Sequence, residues 1–130
     1  MQAIVNWTED LSFQCKTDTG KTLTLDGNGT DLTPMEAVLL SVGACSSVDV
    51  VEIMKKARQP LIECSCRLTA KRADDAPRVF TDIHATYIVK GDDINEKHLK
   101  RAVALSTEKY CSVMLMLNAK VNITTYYVIE

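Results

Sequence analysis

Cysteine is the residue type in this chain best able to do chemistry, and there are five: Cys15, Cys45, Cys64, Cys66 and Cys111. The odd number does not close into a disulfide framework. A thiol can be a nucleophile or an oxidation target once deprotonated. It is equally at home as a small core residue, and one cysteine at a time, core packing is the favoured reading. Cys15, Cys64 and Cys66 fall on the apolar sides of alternating stretches, where a strand turns them inward together. Cys64-Ser65-Cys66 would need two further ligands to hold a metal. With His84 and His98 the only histidines and no Cys-x-x-Cys, no zinc site is expected. Cys45 and Cys111 stand in different surroundings. Cys45 lies midway along an apolar helical stretch, and Asp49, four residues on, projects from the same face. A carboxylate there would raise the thiol pKa, accept a hydrogen bond from the thiol, hold a cation, or face a wet cavity. Cys111 stands at the expected start of a short apolar helix, where free amides and the helix dipole favour a thiolate.

The elements that must position these residues can be read from periodicity. Ala3, Val5 and Trp7, then Leu11, Phe13 and Cys15, then Leu23 and Leu25 alternate as three short strands, with a turn at Asp18-Thr19-Gly20. A long helix follows, with Thr33 as N-cap, Pro34 as first residue and Glu36 completing a capping box. Lys55, Lys56 and Arg58 suit its C-terminal end, and Pro60 stops it. Val38, Leu39, Val42 and Ile53 share one face while Leu40, Val48 and Val51 lie elsewhere, so this helix is expected to be buried on most sides. Leu61–Lys71 alternates as a strand with Ile62, Cys64, Cys66, Leu68 and Ala70 on one side, and Val79–Lys90 as another. Asp93 with Glu96 is expected to start a helix running to about Lys109, with Leu99, Ala102, Val103 and Ser106 inward. Cys111–Ala119 reads as a further short helix and Val121–Ile129 as a closing strand. Strands and helices do not alternate as βαβ units, so the expected class is α+β with an antiparallel-rich sheet around a long central helix, in a single domain over residues 1–130. A second copy would complete the burial of a helix apolar all round.

Composition bounds the rest. Hydrophobic residues make up 46% of the 130 and charged residues 25%, which argues against disorder. Fifteen basic against 17 acidic residues leave a net charge of -2, giving no electrostatic reason to expect nucleic acid or an acidic membrane as partner. Met1–Trp7 lacks the basic and apolar regions of a secretory signal, and the apolar run near Val38–Val42 is far too short to span a bilayer. A cytoplasmic protein with reduced thiols is expected. Gly27-Asn28-Gly29 matches no nucleotide-binding fingerprint, and no Gly-x-Ser-x-Gly occurs.

Two local motifs and the element order resemble the OsmC/Ohr family, and within it the YhfA-type branch. Pro34-Met35-Glu36-Ala37-Val38-Leu39-Leu40-Ser41-Val42-Gly43-Ala44-Cys45 is similar to the family's first cysteine helix, and Glu108-Lys109-Tyr110-Cys111-Ser112-Val113 to its second cysteine motif. The resemblance covers essentially the whole chain. It implies an OsmC-like fold and an intertwined homodimer with active sites at the interface. It implies thiol-dependent reduction of organic hydroperoxides in oxidative stress defence, without a cofactor. Cys45 would attack the peroxide, Cys111 would resolve it, and an external dithiol would reset the pair. Glu36 and Asp49 join them as candidate site residues. The chain departs from the family pattern in three places. Met35 stands where the peroxidases carry a glutamate ten residues before the first cysteine. The N-terminal strands offer Lys16 and Lys21 but no arginine, and lysine cannot reproduce its planar fork. Ser112 replaces a proline. Glu36, nine residues before Cys45, would lie on the opposite face of a continuous helix. With that apparatus altered, the alternatives are a non-enzymatic small-molecule or lipid-binding or redox-responsive dimer, and a thioesterase using Asp49.

Overall fold

The computed structural model describes all 130 residues, Met1–Glu130. The fold is α+β, and its contacts gather into two compact units, Met1–Val38 and Leu39–Glu130.

The first unit is an antiparallel meander of β1 (Ala3–Glu9), β2 (Ser12–Thr17) and β3 (Thr22–Asp26), followed by the first turn of α1 (Pro34–Lys56). Gly20 adopts φ 84° in the β2–β3 turn, which its missing Cβ allows, and donates its N–H to the Thr17 carbonyl at 2.9 Å. Ile4, Val5 and Trp7 are each more than half exposed. The start of α1 is the expected capping box: the Glu36 N–H donates to Thr33 Oγ1 at 3.1 Å, and the Thr33 N–H donates to Glu36 Oε2 at 2.9 Å.

The second unit holds the rest of α1, then β4 (Leu61–Arg72), β5 (Phe80–Gly91), α2 (Glu96–Leu105), a π-helical turn at Ser106–Tyr110, α3 (Ser112–Leu117) and β6 (Asn122–Ile129). Its sheet runs β4-β5-β6, with the first pair antiparallel and the second parallel. β5 is the central strand, and its inward residues Ile83, Ala85, Tyr87 and Val89 are almost wholly buried, as alternation requires. They share the core with Val42, Val50 and Met54 of α1 and with Leu99, Ala102 and Met114. α1 reaches the sheet closely at Gly43, where a Cβ would stand 2.7 Å from Leu68 Cδ1 and 3.7 Å from Cys66 Sγ.

Several local expectations shift. α1 buries one stripe, with Leu40 55% and Val48 58% exposed, rather than all its sides. By length and composition α1 is apolar enough to cross a membrane, which a count of its uninterrupted run misses because small polar residues such as Ser41, Ser46 and Ser47 interrupt the run without adding charge. Ile62 is exposed rather than inward, because the β4–β5 register shifts between Leu61 and Glu63 and flips the intervening side chain. The N-cap of α2 is Asn95, whose side chain accepts from the Lys97 N–H, and not Asp93, which sits at φ 55° in the preceding turn. α2 ends its α-helical course at Leu105, and the Cys111 N–H then donates to the Ser106 carbonyl at 2.8 Å, five residues back, closing the π turn.

Candidate functional site

Cys45 enters the second unit from the middle of α1, Cys111 from the joint between the π turn and α3. Their side chains are neighbours: Cys45 is among the groups whose proximity raises the Cys111 thiol. The two differ in access. Cys111 is wholly buried, whereas Cys45 keeps part of its surface open.

Cys111 is the N-cap of α3 and not its first helical residue. Its Sγ accepts the Met114 N–H at 3.5 Å, as a capping oxygen would. That amide favours the thiolate, but burial outweighs it. With the neighbouring Cys45 adding to the effect, the Cys111 thiol is pushed up from 9.0 to about 11. The expectation of a thiolate favoured by the helix start is therefore overturned, because desolvation of a charge in the core exceeds the pull of the Met114 and Val113 amides on a six-residue helix.

Asp49 turns toward the π turn. Its Oδ2 accepts from Ser106 Oγ at 2.8 Å, and the same hydroxyl lies 3.2 Å from the Ser46 carbonyl. Ser106 thus ties α1 to the end of α2. Asp49 also faces a cleft of about 400 Å³ with Glu52, Ile53, Lys56, Leu105 and Tyr110. This lining mixes charged with apolar side chains, and neither Cys45 nor Cys111 is part of it. Glu36 is held in the capping box with Thr33 in the first unit.

Cys64 and Cys66 point from β4 to the same side and are part-buried. Burial raises the Cys64 thiol. Burial also pushes Cys66 up to about 11, against the lowering effect of a hydrogen bond from Ser47 and with Cys64 adding to the rise. No three His, Cys, Asp or Glu side chains converge as a metal site would require. Cys15 lies part-buried in β2 of the first unit.

Four residues around the thiols carried no weight in the motif reading: Ser46, Ser47, Ser106 and Tyr87. Ser46 and Ser106 are wholly buried hydroxyls on apolar helix faces. A polar residue in a buried stripe needs a partner, and that mismatch is the signal that could have found them.

The OsmC-like protein family model matches residues 27–126. The protein YhfA of Escherichia coli (strain K12) is 47% identical over 129 residues, covering 98% of this chain and 96% of that protein. Among solved structures, an OsmC-like protein from Mycoplasma pneumoniae superposes with a TM-score of 0.85 at 14% identity, over 98% of this chain and 95% of its own. The organic hydroperoxide resistance protein OhrB of Bacillus subtilis gives a TM-score of 0.64 at 15% identity, over 98% of both chains. At such identities these two structures share the fold alone.

Proposed function

The chain belongs to the OsmC-like protein family, and on that footing we propose that it is a thiol-dependent peroxidase that reduces organic hydroperoxides in the cytoplasm through Cys45 and Cys111. The observation that carries this reading is the proximity of the two side chains, one from α1 and one from the α2–α3 joint. Their unequal access supports a division of roles. Cys45, part-exposed, meets the peroxide; Cys111, wholly buried, waits behind it.

The Cys45 thiolate attacks the distal peroxide oxygen. An S–O bond forms, the O–O bond breaks, the sulfur is oxidised by two electrons, and the alkoxide takes a proton and leaves as the alcohol. Cys111 sulfur then attacks the Cys45 sulfenic acid. The disulfide forms and hydroxide leaves as water. An external dithiol attacks that disulfide and is itself oxidised, returning both thiols. A thiol held at about 11 is a poor nucleophile at neutral pH, so the second step accelerates as pH rises.

The working form in this reading is a homodimer. Val48, Ile62 and Met116 are 58%, 67% and 73% exposed in the second unit, and Trp7 is 69% exposed in the first, apolar side chains that a second copy would cover.

The test is a free-thiol titration of the reduced protein before and after one equivalent of cumene hydroperoxide. Loss of two thiols per chain, reversed by dithiothreitol and absent in Cys45→Ser, is expected. Loss of fewer than two, or unchanged loss in Cys45→Ser, refutes the mechanism.

A further inference from the structure

One buried side-chain polar group has no hydrogen-bond partner: the phenol of Tyr87. Tyr87 is the inward residue of β5 opposite Cys66 in the β4–β5 ladder, and it is 0% exposed. Ser46, Cys66, Cys111 and Cys64 lie around it, and of these Ser46 comes near enough to interact with the hydroxyl without a well-formed hydrogen bond. The Ser46 hydroxyl stands beside the phenol but is directed at the carbonyls of Val42 at 2.8 Å and Gly43 at 3.2 Å. Cys111 sulfur takes the Met114 N–H. A buried hydroxyl without a partner is unfavourable and rare in native folds. Cys111, one of the thiols around it, is in turn a neighbour of Cys45.

An unused O–H donor in that place matches a group absent from the resting thiol pair, namely an oxygen on sulfur. We propose that the Tyr87 hydroxyl is a catalytic hydrogen-bond donor, satisfied by the oxygen that Cys45 acquires from the peroxide and holding that oxygen as it departs on disulfide closure. This rests on the peroxidase reading above. The balance of atoms is unchanged. Cys45 gains one oxygen as the O–O bond breaks, the Cys111 sulfur displaces it as hydroxide, and the phenol donates a hydrogen bond to the charge developing on the leaving oxygen. The phenol suits the task because it stays protonated: burial, with the neighbouring thiols adding, moves its ionisation well above the ordinary tyrosine range.

The experiment compares wild type, Tyr87→Phe and Tyr126→Phe in the full chain. The reduced proteins are mixed with one equivalent of cumene hydroperoxide, and thiol loss is followed by stopped flow. Tyr126 is 60% exposed and serves as control. Tyr87→Phe is expected to slow disulfide formation about 100-fold, with a melting temperature unchanged or raised, since the hydroxyl it removes is unpaired. Tyr126→Phe is expected within about twofold of wild type. Oxidation of Tyr87→Phe at the wild-type rate overturns the role of Tyr87 and leaves the peroxidase reading standing. A wild type that loses no thiols overturns both. If Tyr87→Phe does not fold, Cys111→Ser reacted with one equivalent of peroxide decides the matter. A red shift of the tyrosine near-ultraviolet band, absent when Cys45→Ser is added, supports the contact, and an unchanged band overturns it.

Discussion

Two pairs of cysteines lie in the second unit, and they are opposites. Cys64 and Cys66 are close in sequence. One strand presents them to the same side, and the backbone spacing of that strand keeps them apart as neighbours in a row. Cys45 and Cys111 are 66 residues apart by their numbers in the sequence, yet their side chains are neighbours. Both pairs contain a thiol pushed up to about 11 by burial. A raised thiol pKa therefore does not distinguish a redox pair from packing. Proximity of thiols from separate elements, one of them open to solvent, does.

The largest effects should fall on one pair and spare the other. Cys45→Ser is expected to lower the peroxide reduction rate at least ~10³-fold, as removal of a nucleophile does. Cys64→Ser is expected within about twofold of wild type. Equal losses in the two variants, measured as alkoxide-derived alcohol released per second, would erase the contrast. Cys111→Ser should still be oxidised once, gaining one oxygen by intact mass, but should not form the intramolecular disulfide; multiple rapid turnovers with dithiothreitol would remove Cys111 from the mechanism.

Stability against pH sharpens the comparison on a smaller scale. A thiol whose folded pKa lies above its unfolded value holds its proton more tightly in the native state. Its contribution is full below pH 9 and is lost as pH rises toward 11. For Cys111, a rise from 9.0 to about 11 corresponds to roughly 2–3 kcal/mol. Urea unfolding of the reduced protein should show stability falling between pH 9 and 11, with a shallower fall in Cys111→Ser. A slope of the same size in that variant would place the loss elsewhere. The smallest effect is structural. Ser106→Ala removes the hydroxyl that binds Asp49 and the Ser46 carbonyl and should cost about 1–3 kcal/mol in the same measurement. No measurable change would mean that this link does not hold α1 to the end of α2.

Much of this was legible in the residues. Thr33, Pro34 and Glu36 announce the start of α1, and the alternation of β5 places Ile83, Ala85, Tyr87 and Val89 inward, because caps and strand pleats are set by near neighbours. The errors share a cause. Ile62 is turned out by a register shift that depends on the partner strand, the N-cap of α2 moves from Asp93 to Asn95 because of the backbone turn before it, and the π turn that carries the chain from Ser106 to Cys111 follows from how the two helices must join. None of these appears in periodicity.

For the site the division is the same. Residue types and local pattern alone determined that Cys45 lies in a long apolar helix, that Cys111 begins a short one, and that Glu36 closes a cap, since each depends on residues within four or five positions. Only the tertiary structure decided that the Cys45 and Cys111 side chains are neighbours, that Asp49 is turned to Ser106, and that the Tyr87 phenol is buried without a well-formed hydrogen bond. These depend on distances between segments far apart in the chain and on the water that packing excludes, quantities that no local window contains.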